Sequence, residues 1–374
     1  MDTPLEESNL AHIGSAEDIA AKKAAAETEV NWTGAGTSEG IQIWRVENKR
    51  DEHGNPKFGI NAWPKKHYGE FYTGDSYIVL QTTRCEDSGA FLYDIFFWIG
   101  SESSQDEYGV AAYKTNELDD LLNDAPIQHR EVQFHESDAF LKCFPRSIKY
   151  LDGGIDSGFR NVKENGGAYE LPTRLYHIRR DNRVTRCFQV PVKCSSLNKG
   201  DAFVLHSGKI VYTWFGEDCS PFEKSKAAQV AHDMVMAVNG HATLVEEVED
   251  DNGEFWEALG GKGHIKEADD YVPRKDAEVT APKMYILAEV DSFITITECE
   301  AKKSNLVSGD VCMIDGGKTV FVWIGKGSSK REQAEAMTIV QKHMKTMKRE
   351  GNTNVVRVKE GQEKRAPGFK AVLK

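Results

Sequence analysis

Apolar and polar positions follow one order three times along the chain. An apolar run starts just after a Gly-Asp pair at YIVL (77–80), AFVL (202–205) and VCMI (311–314). A second run ends on Trp-x-Gly at FFWIG (96–100), VYTWFG (211–216) and VFVWIG (320–325). A serine-containing turn, a glutamate and a long stretch with apolar residues at helical spacing follow each. These residues are Ala111, Leu118, Leu121 and Leu122; then Ala227, Val230, Ala231, Met234 and Val238; then Ala336, Val340, Met344 and Met347. Residues three, four and seven apart share a helix face, so each stretch predicts an amphipathic helix. A strand comes next (REVQF 130–134, TLVEEVE 243–249, NVVRVKE 354–360). Each unit closes on a short segment with spaced large apolars: Phe140 and Phe144, Phe255 and Leu259, Phe369 and Leu373.

The intervals agree. Trp98 to Glu107, Trp214 to Glu223 and Trp323 to Glu332 are each nine residues. From the Gly-Asp aspartate to the tryptophan is 13 residues in the second and third copies and 23 in the first, where CEDSGA (85–90) lengthens a hairpin. The copies recur after 126 and then 109 residues, a domain-sized period. The fold class is therefore α+β, with three tandem domains that each hold a central mixed sheet between a long and a short helix. The expected domains are 41–160, 172–272 and 283–374, after an N-terminal extension at 1–40. NVKENGGAYELP (161–172) and YVPRKDAEVTAP (271–282) read as linkers, SAEDIAAKKAAAETE (15–29) as a helix capped by Ser15, and NKRDEHGNPKFGINAWP (48–64) as a long loop.

Composition narrows the class. A net charge of −12 over 374 residues argues against broad attraction to nucleic acid and suits a protein that collects cations. No apolar stretch reaches the roughly 18 residues of a membrane span, and MDTPLEESNLAHIG has no signal-peptide pattern. The seven cysteines are scattered and never CxxC, so reduced buried thiols in a cytoplasmic protein are expected.

Two chemistries fit the recurring glutamate. Ser104-x-x-Glu107, Ser220-x-x-Glu223 and Ser329-x-x-Glu332 each match a capping box at a helix start. The same glutamates, with Gly74-Asp75, Gly200-Asp201 and Gly309-Asp310, also suit an oxygen-ligand cation site. Glycine lets its carbonyl approach, the aspartate adds an anionic oxygen, and the glutamate grips bidentately. Spacing leaves both readings open. Glutamine also serves in a capping box, so Glu332→Gln is expected to weaken calcium binding with little change in calcium-free stability.

Other motifs are near-misses. EDDNGEFWE (249–257) has Val248 and Leu259 where an EF-hand loop needs ligands, and reads as an acidic solvated edge. GGKT (316–319) lacks the first Walker glycine and reads as a turn between strands. No HExxH and no nucleophile-base motif occurs, so no enzyme is expected. Positive charge gathers between Lys326 and Lys370, with 12 Lys/Arg against 5 Asp/Glu, and in RLYHIRRDNRVTR (174–186). Such runs read as solvated faces or as sites for an anionic partner, whether a protein filament or phosphoinositide headgroups.

GIQIWRVE (40–47), YGEFYTGDSYIVL (68–80), SQDEYGVAAYKTNELDDLL (104–122), QHREVQFHES (128–137) and GGIDSGF (153–159) closely resemble the first domain of the gelsolin family. The chain resembles its three-domain, severin- and fragmin-like members over about 12–374. The resemblance implies a cytoplasmic, cytoskeletal protein that binds actin monomer and filament under calcium control, severing filaments, capping barbed ends and nucleating new ones. It implies Ca2+ at the Gly74 carbonyl, Asp75, Glu107 and the Ile155 carbonyl. The second set is Gly200, Asp201 and Glu223 with Asp269 or Asp270, and the third is Gly309, Asp310 and Glu332. A calcium shared with actin corresponds to Asp119 and the carbonyls of Asp124 and Pro126, although the family usually has glycine at the position of Asp124. Val110 and Tyr113, off the Leu118–Leu122 side of the long helix, are the implied insertion into actin. Arg183 and Arg186 are the implied grip on the filament side. Arg146, Lys149, Arg174, Arg179, Arg180, Arg183 and Arg186 are the phosphoinositide candidates, although RSIKYLDG (146–153) is less basic than the family's segment. Capping without severing, and a calcium-dependent lipid or protein adaptor that does not act on actin, are the alternatives.

Overall fold

The computed structural model describes residues 26, 29–50, 56–103, 105–145, 148–154, 171–181, 184–237, 242–268, 281–290, 293–349 and 353–373. The helix expected at 15–29 and most of both expected linkers lie outside them. The first repeat runs β1 (Gly40–Arg50), β2 (Pro56–Ala62), β3 (Glu70–Tyr72), β4 (Ser76–Arg84), β5 (Phe91–Ile99), α1 (Gln105–Leu121), β6 (Ile127–Val132), α2 (Asp138–Lys142) and β7 (Lys149–Leu151). The second runs β8 (Leu171–Asp181), β9 (Val184–Val190), β10 (Ala202–Gly208), β11 (Ile210–Phe215), α3 (Pro221–Ala237), β12 (Thr243–Val245) and α4 (Gly253–Ala258). The third runs β13 (Lys283–Val290), β14 (Phe293–Glu300), β15 (Val311–Asp315), β16 (Thr319–Ile324), α5 (Lys330–Thr346) and β17 (Asn354–Lys359), and ends on a 3-10 turn at Phe369–Val372.

These elements form two compact units. One holds a seven-stranded sheet in the order β12-β11-β10-β8-β9-β7-β3. It comprises residues 64–74 and 144–275, so β3 and β7 join the second repeat's sheet although they lie in the sequence of the first. Alternation along its strands fills both faces. Ala202 and Val204 point into a core with Ala227, Val230, Ala231 and Met234 of α3. Phe203 and Leu205 point into the opposite core with Phe255, Trp256 and Leu259 around α4. A sheet covered on both faces needs continuous apolar strands, which is why AFVL carries no polar residue.

The other unit holds a ten-stranded sheet, β14-β13-β15-β16-β17-β6-β5-β4-β1-β2, joining the first and third repeats. The join is antiparallel pairing of β6 with β17, Val355 opposite Arg130, Val356 opposite His129 and Arg357 opposite Gln128. Ala111 and Leu118 of α1, with Leu122 just after it, pack on Ile78, Leu80, Ile95 and Phe97, while Ala336, Val340 and Met344 of α5 pack on Val311, Met313, Val320 and Val322. Phe369 closes the other face of the third repeat against Phe321 and Trp323.

Three sequence readings change. Residues 48–64 are no long loop, because β1 continues to Arg50 and pairs antiparallel with β2, Asn48 opposite Phe58. EDDNGEFWE is only half a solvated edge: Asn252 caps α4 through Phe255 N–H at 3.1 Å, and Phe255 and Trp256 are buried. The thiols are not all buried: the seven cysteines are unpaired, but Cys85 and Cys299 are only partly covered. GGKT is the turn between β15 and β16 that its setting implied.

Candidate functional site

The Gly-Asp and Trp-x-Gly motifs of each repeat are hydrogen-bonded to one another. The glycine N–H of Trp-x-Gly donates to the aspartate carbonyl: Gly100 to Asp75 at 3.0 Å, Gly216 to Asp201 at 2.9 Å and Gly325 to Asp310 at 3.1 Å. Close backbone approach explains the glycine. A Cβ on Gly216 would stand 2.2 Å from the Lys199 carbonyl oxygen, and one on Gly325 2.3 Å from that of Ser308. Backbone cannot retreat as a side-chain tip can. Gly216→Ala is therefore expected to cost about 1–3 kcal/mol, read as a lower melting temperature, and unchanged melting would contradict this packing.

The Gly-Asp glycines are crowded in a different way. A Cβ on Gly74 would meet the Gly153 carbonyl oxygen at 2.9 Å, and one on Gly200 the Cβ of Ala268 at 2.9 Å. Each crossing segment leads directly toward an expected carbonyl or carboxylate ligand, Ile155 or Asp269 and Asp270, which lie outside the described residues. Gly309 has open space instead.

The glutamates carry the cap and something more. Ser329 and Glu332 form a complete capping box. Ser220 and Glu223 repeat it, with Ser220 N–H donating to Glu223 Oε2 at 3.0 Å and Glu223 N–H to Ser220 Oγ at 3.4 Å. In both, the second oxygen reaches a neighbouring strand: Arg180 N–H donates to Glu223 Oε1 at 2.7 Å, and Glu289 N–H to Glu332 Oε1 at 2.7 Å. Each carboxylate thus pins a helix start to a strand edge. Glu332→Gln is consequently not neutral without calcium, because its amide N–H2 would face a backbone N–H that now donates. The Glu107 side chain lies outside the described set.

The aspartates differ in their company. Asp75 is fully buried and ion-paired with Arg45, and Tyr77 Oη donates to it at 3.3 Å. Asp201 accepts from His177 Nε2 at 2.6 Å, Asn198 Nδ2 at 2.8 Å and Arg179 at 3.1 Å. Burial alone would raise its carboxyl, but His177, Asn198 and Arg179 outweigh burial and hold it below the usual carboxylate range. Asp310 has no hydrogen-bonded or ion-paired side chain among the described residues. Burial, and then the Glu332 charge, push its carboxyl up.

The repeat geometry is matched by known sequence. The gelsolin repeat model matches residues 63–141, 188–255 and 296–367. The chain belongs to the gelsolin family. It is 37% identical over 346 residues to gelsolin-like protein 2 of Lumbricus terrestris, covering 91% of this chain and 89% of that one. It is 36% identical over 354 residues to the actin depolymerising venom protein gelsolin 1 of Platymeris rhadamanthus, covering 89% and 88%. It is 38% identical over 357 residues to the cytoplasmic gelsolin of Homarus americanus, but spans only 45% of that longer protein.

In the first gelsolin repeat, α1 presents a mixed face. Tyr113 is 64% exposed. Val110 is not its solvent-facing partner, because it lies on the flank of the apolar stripe and packs against the core that holds Leu118 and Leu122. Asp119 is only 2% exposed. Arg357 of β17 donates to its Oδ2 at 3.1 Å and Lys359 lies 3.7 Å away, while Oδ1 is buried with no hydrogen-bond partner. Asp124 is paired with Lys359 at 2.9 Å, and its carbonyl also accepts from that ammonium. Asp124 holds φ at 59°, a left-handed conformation that glycine adopts most cheaply. Pro126 is buried beside it.

The described arginines of the 174–186 run are engaged within the chain. Arg179 is committed to Asp201, Arg180 lies 3.6 Å above the Phe222 ring, and Arg174 is hydrogen-bonded to Tyr176. Arg186, on β9 between β8 and β7, is buried. Lys149, on interior β7, is 3.5 Å from Glu70. Arg146 and Arg183 lie outside the described residues. The expected basic surface for a filament side or a lipid headgroup is therefore not assembled by these described members. Nor, among the described residues, do three or more His, Cys, Asp or Glu side chains gather to hold a metal, and no helix is long and apolar enough to cross a membrane. Sequence reading missed Arg45, His177 and Arg179 as partners of the Gly-Asp aspartates. The signal was present as period two: positions 177 and 179 share one strand face.

Proposed function

We propose that this chain is a calcium-dependent actin-binding protein of the cytoplasm and cytoskeleton that severs filaments, caps barbed ends and promotes nucleation. The observation that carries the reading is the length-matched relationship to a relative named for actin depolymerisation, with all three repeats retained. In this reading the first repeat (41–160) binds the actin monomer, the second (172–272) the filament side, and the third (283–374) restrains the first.

The donor set suits a hard cation. Asp119 Oδ1 is a buried acceptor without a donor, and Asp310 feels the charge of Glu332. Calcium, when bound, supplies charge for six to eight such oxygens. The chain's own residues supply the restraint. Arg357 and Lys359 engage Asp119 and Asp124, the residues assigned to the cation shared with actin, so those acceptors are committed within the chain. Tyr113 stays exposed and offers a large amphipathic ring to an apolar cleft.

Tyr113→Asp is expected to abolish monomer binding, measured by ultracentrifugation with fluorescent actin in calcium. Because Tyr113 contributes little to the core, the melting temperature should be retained. Wild-type binding by the folded variant would remove the assignment.

A further inference from the structure

The three Gly-Asp aspartates are alike in motif and unlike in counter-charge, and strand register gives the reason. Ala202 pairs with Ile178, so Asp201 stands opposite Arg179, with His177 on the same strand face. In the third repeat Val311 pairs with Leu287, so the corresponding residues are Ile286 and Ala288. The glutamate anchors confirm the alignment: Glu223 takes the N–H of Arg180 and Glu332 that of Glu289, each one residue further on. In the first repeat Tyr77 pairs with Arg45, which places Arg45 where His177 stands in the second. Two repeats therefore place a basic side chain on the aspartate from the adjacent strand, and the third places an alkyl group there.

We propose that Arg179, seconded by His177, is a built-in counter-cation of the second repeat, which a divalent cation must displace from Asp201. This rests on the calcium reading above and adds an order of filling. The third repeat, with Asp310 facing Ile286 and Ala288, takes calcium first, and the second takes it only at higher concentration. Asp201 accepts three side-chain hydrogen bonds, and one donor is a guanidinium that cannot lose its proton. All three fall on Oδ2, so a cation that takes this oxygen must displace a donor, and one that takes Oδ1 must bind beside the guanidinium charge. Asp310 has no such bond to surrender, so its cation meets only an uncompensated charge.

The test is calorimetric titration of the full-length chain with calcium chloride. Arg179→Met should tighten a weak class of sites about tenfold or more, with the tight class unchanged. Arg179→Lys, which keeps the charge, should stay near wild type. The reciprocal variant Ala288→Arg places a guanidinium opposite Asp310 and should weaken the tight class, so the proposal does not depend on one substitution folding. Asp201→Asn and Asp310→Asn assign the classes by removing one each. If Asp201→Asn removes a site while Arg179→Met and Ala288→Arg leave all affinities unchanged, the counter-cation is refuted and the calcium reading stands. If Asp201→Asn and Asp310→Asn remove no site, the calcium reading of these repeats fails and the proposal falls with it.

Discussion

Replacing Arg357 and Lys359 together by alanine is expected to make barbed-end capping independent of calcium. Both side chains come from β17 of the third repeat and meet Asp119 on the first repeat's α1. Asp119 is 2% exposed and already has one oxygen without a donor. Removing both cations leaves a buried carboxylate uncompensated, a change that costs about 3–5 kcal/mol in comparable pairs. Among the described residues, what remains across the join includes three residue pairs of β6 and β17, Ile127 in the third repeat's core, Arg130 to the Thr353 carbonyl at 2.9 Å and Asn354 to the His135 carbonyl at 2.7 Å, with Gln362 and Arg365 at its margin. The least costly relief is separation of β17 from β6, which returns Asp119 to water and frees the C-terminal end of α1 for actin. In chelator, the double variant should stop growth of filament ends at concentrations where the wild type does not. A retained calcium requirement in a folded double variant would show that these cations are not the restraint.

Asp310→Asn is expected to separate the cation role of the third repeat from its structural role, which Glu332→Gln cannot do. Asp310 makes no side-chain hydrogen bond or ion pair among the described residues, and its carboxyl is raised by burial and by Glu332. A carboxyl raised on folding binds its proton more tightly in the folded state. Its contribution is then most favourable at low pH and is lost as pH rises through the folded value. At neutral pH the wild type bears this repulsion and the asparagine variant does not. Without calcium the variant should melt at or slightly above the wild-type temperature, and its stability should fall less with rising pH across the carboxylate range. With calcium, the wild type should gain stability by mass action and the variant should lose that gain for this site. Equal calcium-induced shifts in melting temperature would remove Asp310 from the ligand set.

The repeats were legible because each buries both faces of a sheet. AFVL and VFVWIG are apolar without interruption, and α3 and α5 show their faces at three- and four-residue spacing. Shorter features were not legible. β3 and β7 have three residues each, too few to establish a period, and they contribute to a sheet whose other strands lie far along the chain. β2 was hidden by the polar run before it. The β6–β17 join links residues more than 220 apart and leaves no local mark. At the candidate site, the Gly-Asp pairs and glutamates were evident from spacing, while their counter-charges were not. RLYHIRRD was read as a charged surface because charge, taken alone, says nothing about which residue faces it across a strand. Register supplies that, and it turns Arg179 from a surface cation into the partner of Asp201. Val110 was misplaced for a related reason: on α1 it sits at the edge of the apolar stripe, where helical spacing alone does not separate core from surface.

The central claim is most directly tested by imaging single fluorescent actin filaments with the full-length chain, first in chelator and then after calcium is added to the same field. Cuts along filaments and arrested barbed ends should appear only after calcium. Cuts at the same frequency in chelator, or intact and growing filaments in calcium, would contradict a calcium-dependent severing and capping protein.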